Sequence, residues 1–169
     1  AMIMFVLQTP GIEARDFSQL EQMYYGASPI SETVLRQALK VFDCDFIQMY
    51  GMTETTGAIA QANGEAFTSN PRGSGFVLPL MDVLIVDDDN TPVETGNPGE
   101  IWVKGATLMQ GYYGRPEDTN RSMSDGWFKT GDIGYLDENG VIYIVDRKTD
   151  MVISGGENIY CAEVEQALA

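Results

Sequence analysis

Around residue 50 the chain gathers side chains suited to a nucleotide and a divalent cation. Phe46-Ile47-Gln48-Met49-Tyr50 is a short apolar run with the texture of a buried strand, closed by Gly51. Just beyond it, Thr53-Glu54-Thr55-Thr56 places three hydroxyls and one carboxylate within four residues. In open α/β sheets, ligands sit at the C-terminal edges of strands. An aromatic ring there can stack on a base, an interaction worth roughly 1–3 kcal/mol, and a glycine permits close approach. Thr53 and Glu54 supply the hard oxygens that Mg2+ prefers. Taken alone, the stretch reads equally well as a strand end followed by a solvated turn.

The elements that must position these residues follow from periodicity. After the Thr9-Pro10-Gly11 turn, Gln22-Met23-Tyr24-Tyr25 predicts a strand ended by Gly26-Ala27-Ser28-Pro29. Small residues there allow a flat ring to lie close to the backbone, although a plain strand-to-helix turn explains them too. Ser31 is a good N-cap, and Val34, Leu35, Ala38, Leu39 and Phe42 form the apolar stripe of a helix running to about Val41. Asp43-Cys44-Asp45 returns the chain to the strand ending at Tyr50. Two strands bracketing a helix predict a βαβ unit and a piece of parallel sheet.

From Asn70-Pro71-Arg72-Gly73 onward, short β-type runs alternate with turn clusters. The runs are Val83–Val86, Glu100–Lys104, Gly126–Phe128 and Val141–Val145, with Asp87-Asp88-Asp89-Asn90, Asn97-Pro98-Gly99 and Asp137-Glu138-Asn139-Gly140 between them. This spacing predicts a small antiparallel barrel or curled sheet. The triple aspartate lacks the spaced ligands of a calcium loop and reads as a solvated hairpin turn. Gly73-Ser74-Gly75 is too short a pattern for a phosphate loop.

Composition narrows the function classes. With 25 acidic against 10 basic residues, the formal charge of −15 argues against a nucleic-acid surface. The absence of histidine excludes His-based triads and His metal sites. Cys44 and Cys161 have no CxxC spacing, which removes zinc and dithiol chemistry and suits reduced packing residues of a cytoplasmic protein. The apolar opening Ala1–Leu7 is too short to cross a bilayer and lacks the basic flank of a signal peptide. An opening without a cap or turn, and a last helical pattern (Val164, Ala167, Leu168) without a C-cap, predict part of a longer chain.

Three stretches, in order, carry a family resemblance. Tyr50-Gly51-Met52-Thr53-Glu54 resembles the central signature of the adenylate-forming (AMP-binding) superfamily: acyl-CoA synthetases, peptide-synthetase adenylation domains and luciferases. Trp127-Phe128-Lys129-Thr130-Gly131-Asp132 resembles a second signature. The run from Asp146-Arg147-Lys148-Thr149-Asp150 through Gly155-Gly156-Glu157-Asn158-Ile159-Tyr160 resembles a third. One five-residue match is weak, but three in order are specific, and they span most of the chain from Tyr25 onward. The implied fold is α/β plus β: residues 1–72 closing a large AMP-binding subdomain, 73–147 a β-barrel subdomain, and 148–169 the start of a mobile C-terminal domain.

The resemblance implies ATP, Mg2+ and coenzyme A as partners, with a carboxylic acid activated as acyl-AMP and passed to a thiol. It implies Tyr50 stacking on adenine and Gln48 bonding the adenine edge, with Gly26, Ala27, Ser28, Met49 and Gly51 bordering the nucleotide and the acid tunnel. Thr53 would bond phosphate and Glu54 would hold magnesium. Asp132, whose two acceptor oxygens match two vicinal hydroxyls, would take the ribose from a tight turn beyond a strand, and Arg147 would donate to ribose or phosphate. Gly155 and Gly156 would flank the pantetheine arm. The family's hinge residue, usually Asp or Lys, is here Thr149, a stiffer β-branched residue.

The run Gly155–Ile159 followed by Glu163-Val164-Glu165 is closer to acyl-CoA synthetases than to peptide-synthetase domains. The expectation is therefore an acid–CoA ligase for a fatty or other hydrophobic acid, cytoplasmic, or peripheral to a membrane if the acid is long-chain. The alternatives are a fatty-acyl-AMP ligase, a peptide-synthetase adenylation domain, or a non-catalytic binding module. The family's Ser/Thr/Gly-rich phosphate loop and its adenylation lysine occur nowhere in these 169 residues, so the chain by itself is expected to be inert and to depend on the remainder of a parent chain.

Overall fold

A computed structural model describes residues 2–27, 30–63, 73–154, 157–161 and 164. Ser28, the Asn70–Arg72 cluster, Gly155, Gly156 and the helical stripe through Ala167 and Leu168 lie outside the described residues.

The apolar opening forms a short helix, α1 (Met2–Leu7), that buries Leu7 and leaves Met2 and Phe5 exposed. It packs on α2 (Glu32–Phe42), whose buried Leu35, Ala38 and Phe42 make a core with Leu7, Phe46 and Ala62. Ser31 caps α2, its Oγ accepting from Val34 N at 3.4 Å, and Asp43 ends it in the left-handed conformation at φ 44°.

The strands on either side of α2, β1 (Gln22–Gly26) and β2 (Asp45–Met52), pair in parallel as the βαβ pattern predicts. The sheet is nevertheless mixed, because β3 (Gly57–Asn63) and β4 (Phe76–Val77) join antiparallel in the order β1-β2-β3-β4. β2 does not stop at Tyr50; it runs on through Gly51 to Met52. A side chain at Gly51 would strike the backbone of Gly57 and Ala58, so the glycine admits the returning strand. Opposite it, Ile59 is an extra residue in β3, a bulge between the Tyr50–Ala60 and Gly51–Ala58 pairs. Ala60 is fully buried, so this small residue serves tight packing.

The second sheet is antiparallel: β5 (Met81–Val86), β6 (Gly99–Gly105), β8 (Trp127–Leu136) and β7 (Met123–Ser124) in that order, with β9 (Ile142–Arg147) also on β8. A short helix, α3 (Pro116–Ser122), precedes β7. Inward residues Ile85, Ile101, Val103, Phe128 and Ile142 pack against Ile59 and Ala60 of the first sheet, forming one core across both. The link between sheets is tied by Ser74 N donating to Ile142 O at 2.7 Å and Ile142 N donating to Gly75 O at 2.9 Å. A last pair, β10 (Val152–Ser154) and β11 (Glu157–Ile159), runs antiparallel. Together the sheets give the α/β plus β architecture.

Lys129-Thr130-Gly131 is not a turn beyond a strand; it lies inside the ten-residue β8. Glu100 pairs with Ile133 and Trp102 with Lys129, so residues 130–132 oppose Ile101 alone. Gly131 takes φ 75°, a conformation costly to residues with a Cβ. Thr130 Oγ1 donates to Ile101 O at 2.7 Å and accepts from Asp132 N at 3.0 Å, so the bulge is hydrogen-bonded internally. The triple-aspartate segment behaves as the turn predicted: Asp87 Oδ1 accepts from Asp89 N and Thr91 N. Among the described residues, no helix is long and apolar enough to cross a membrane.

Candidate functional site

The two sheets meet at Tyr50 and Asp132. The Tyr50 phenol donates to Asp132 Oδ2 at 2.8 Å, joining residues 82 apart in sequence. The bulge brings Asp132 inward until only 6% of it is exposed. Directly across β8, Arg147 places Nε 3.6 Å from the other carboxylate oxygen while its side chain stays 70% exposed. Burial pushes the Asp132 carboxyl above the usual carboxylate range; the Tyr50 hydrogen bond and the Arg147 charge pull it partly back. The Tyr50 phenol is pushed well up, first by burial and then by the Asp132 charge, so it remains a donor at any physiological pH.

Gln48 lies opposite Tyr25, and its Oε1 accepts from the Tyr25 phenol at 3.1 Å. Its amide N–H groups are what it can offer a ligand. Gly26 pairs with Met49 so closely that a Cβ would land on the Met49 carbonyl; the glycine is required by the neighbouring strand, independently of any ligand. Ala27 turns the chain out of β1 at φ 65°. Met49 and Gly51 are half-buried in β2.

Past β2, Thr53–Thr55 form one 3-10 turn. Its anchor is Thr55, fully buried, whose Oγ1 accepts from Met52 N at 3.2 Å and lies 2.7 Å from Gly57 O. This leaves Thr53 exposed and Glu54 half-buried. Glu54 is gripped twice by the segment after β6: Met109 N donates to its carbonyl at 2.7 Å, and the Tyr112 phenol donates to Oε1 at 2.9 Å. Sequence reasoning missed Tyr112. Gly111-Tyr112-Tyr113-Gly114 reads as a turn cluster, and nothing in it points to a carboxylate 58 residues earlier.

Beside Tyr112 an open groove of about 550 Å³ runs past Glu100, Arg115, Lys129, Thr130 and Gly131. Arg115 and Arg121 both pair with Asp118, and the Lys129 ammonium lies 5.0 Å from the centre of the Trp102 ring. In a chain of net charge −15, cations thus gather next to the bulge that holds Asp132.

Among the described residues, no group of three or more acidic or sulfur side chains is placed to hold a metal. A cation at this site would have Glu54 as its carboxylate and a substrate's phosphates for the rest. That donor set fits Mg2+, which commonly uses one or two carboxylates with substrate phosphates and waters. Tyr50, Asp132 and Arg147 are thus brought together, with Gln48 two residues before Tyr50 on the same strand but bonded to Tyr25, and Glu54 and Thr53 just past the end of that strand. Gly155, Gly156 and Ser28 fall outside the described residues.

Comparison with known proteins identifies the family. Residues 1–113 match the model of the AMP-binding enzyme family. A fatty acid–[acyl-carrier-protein] ligase of Streptomyces coeruleorubidus is 37% identical over 99% of this chain, which corresponds to 33% of that protein. A 2-succinylbenzoate–CoA ligase of Geobacillus kaustophilus is 42% identical over 92% of the chain and 31% of its own length. The solved O-succinylbenzoate coenzyme A synthetase of Bacillus subtilis in complex with ATP and magnesium superposes with a TM-score of 0.87 at 35% identity, over 99% of this chain and 34% of that one. The chain spans about a third of the length of the curated relatives it matches. With a matching family model over two thirds of its residues and a shared fold, this chain belongs to the AMP-binding enzyme family.

Proposed function

We propose that the chain is the central part of an ATP-dependent acid–CoA ligase. The carboxylate of the acid substrate attacks the α-phosphorus of ATP, the bond to the β-phosphate oxygen breaks, and pyrophosphate leaves an acyl-adenylate. A thiol then attacks the acyl carbon and AMP departs. The observation that carries this reading is the convergence of Tyr50, Asp132 and Arg147 from separate strands.

In this reading Tyr50 stacks on adenine, Gln48 donates its amide to the adenine edge, and Asp132 accepts from the ribose hydroxyls. Gly26, Ala27, Ser28, Met49 and Gly51 border the nucleotide and the acid, and Thr53 donates to phosphate. Glu54 holds Mg2+, which when bound offsets the phosphate charge. For such transfers the protein mainly positions groups and balances charge. Residues 1–72 belong to the large subdomain, 73–147 to the barrel, and 148–169 to the start of a domain that pivots near Thr149. Gly155 and Gly156 flank the pantetheine arm of coenzyme A, and the enzyme works in the cytoplasm. The phosphate loop and the adenylation lysine come from the rest of the parent, so the 169 residues alone are inert.

Similarity to a ligase named for an acyl-carrier-protein acceptor favours a second reading of the acceptor, and similarity to succinylbenzoate ligases widens the acid class beyond fatty acids. The test is the full-length protein assayed with acids of graded chain length and with 2-succinylbenzoate, offering CoA or a phosphopantetheinylated carrier protein. Acyl-AMP and thioester formation with one acid class, abolished by Asp132→Asn, is the expected result. A protein that makes no adenylate from any acid and shows no thermal shift with an acyl-adenylate analogue is a binding module instead.

A further inference from the structure

The magnesium reading leaves a carboxylate on a flexible side chain that must be held before a cation can use it. Glu54 sits mid-way along a single 3-10 turn and is half-exposed. What steadies it comes from the segment between β6 and α3: Met109 N on its carbonyl and the Tyr112 phenol on Oε1. Tyr112 is itself fixed, its N–H donating to Thr119 Oγ1 at 2.9 Å and its carbonyl accepting from Arg115 N at 3.1 Å. Gly111 packs against Thr119 so tightly that a Cβ would come within 2.8 Å of its methyl.

The choice of donor is informative. A lysine or arginine in this place would cancel the Glu54 charge and compete with a cation. A phenol restrains one carboxylate oxygen and leaves the negative charge intact. Among the described residues, no hydrogen bond reaches the other Glu54 oxygen. Freezing a glutamate's rotamers costs entropy that would otherwise be lost when the cation binds.

We infer that Tyr112 is a positioning residue for the nucleotide-bound cation: its hydroxyl pre-orders the Glu54 carboxylate from across the sheet boundary. This rests on the reading of Glu54 as the magnesium carboxylate. Loss of an outer partner of a metal-binding carboxylate typically weakens metal binding or activity about 10–100-fold.

The experiment uses the full-length ligase and the variants Tyr112→Phe, Glu54→Gln, Thr119→Val and, as a control, Tyr113→Phe, since Tyr113 is fully exposed. Retention of Mn2+ with a non-hydrolysable ATP analogue is read by electron paramagnetic resonance. The Mg2+ requirement of ATP–pyrophosphate exchange is titrated in parallel. Tyr112→Phe is expected to weaken Mn2+ retention and raise half-saturating Mg2+ about tenfold, with turnover at saturating Mg2+ retained and Tyr113→Phe unchanged. Thr119→Val should shift both in the same direction by less, and it decides the matter if Tyr112→Phe does not fold. A wild-type metal titration in both variants, or a loss of turnover with the metal requirement unchanged, overturns the inference while the inactive Glu54→Gln keeps the magnesium reading. A Glu54→Gln enzyme that binds Mn2+ and turns over normally overturns the magnesium reading itself.

Discussion

Tyr50 donates its phenolic proton to Asp132 across 2.8 Å, tying the end of a mixed-sheet strand to a bulge in the antiparallel sheet. Burial raises the Asp132 pKa, and this bond and Arg147 favour the charged form against that cost. Removing the donor in Tyr50→Phe leaves a buried carboxylate short of a partner, expected to cost about 1–3 kcal/mol at neutral pH.

The pH dependence of that variant has a definite sign. The folded-state pKa of Asp132 lies above its unfolded value, and losing the Tyr50 bond raises it further. Such a group penalises folding once the pH has risen through the folded pKa, and the penalty disappears below the unfolded value near 3.9. Denaturant titrations should therefore show the Tyr50→Phe deficit greatest at pH 7 and shrinking toward about pH 4. A deficit that grows on acidification contradicts the assignment.

Gly131→Ala isolates backbone strain. The residue sits at φ 75°, and a Cβ there meets nothing within 4 Å, so the cost is conformational alone, about 1–2 kcal/mol. Gly140, at φ 80° and equally open in the β8–β9 hairpin, supplies the matched control. Both alanine variants should lose similar stability in thermal melts, but only Gly131→Ala should also weaken AMP binding by calorimetry, because only it reshapes the bulge beside Asp132.

Thr55→Val keeps the shape of a fully buried side chain while deleting the hydroxyl shared by Met52 N and Gly57 O. Stranding those backbone groups should cost about 1–3 kcal/mol, measured by the denaturation midpoint. Thr55→Ser, which retains the hydroxyl, should recover most of the loss. Equal destabilisation by both would place the cost in packing.

Thr149 lies in an exposed turn closed by Asp150 N and Met151 N on Arg147 O at 3.0 and 3.1 Å. If the chain pivots here, as proposed, Thr149→Gly in the full-length enzyme should alter thioester formation more than adenylation. Separate stopped-flow measurement of the two half-reactions decides it, and equal effects on both reject the pivot.

Local sequence was sufficient wherever the signal is short-range. The cap at Ser31 and the stripe Leu35, Ala38, Phe42 lie within a dozen residues, so α2 could be read directly. The βαβ crossover and the alternating β-runs followed in the same way. β3 was missed because Ala58, Ala60 and Ala62 lack the branched or aromatic side chains that mark strands; the strand is held by its pairing with β2 and by burial of Ala60 against the antiparallel sheet and of Ala62 against α2. Lys129-Thr130-Gly131 has the composition of a turn and of a bulge alike, and only the pairing of β8 with β6 distinguishes them.

The types of the candidate site residues, and the signatures around them, were present in the one-dimensional chain because hydroxyls, carboxylates and rings are properties of single residues. Their meeting was not. Tyr50 reaches Asp132, and Tyr112 reaches Glu54, only because two separately formed sheets share the core of Ile59, Ile101 and Ile142. Contacts spanning 82 and 58 residues leave no local periodicity. They are decided by how two apolar faces pack, which is a property of the folded chain alone.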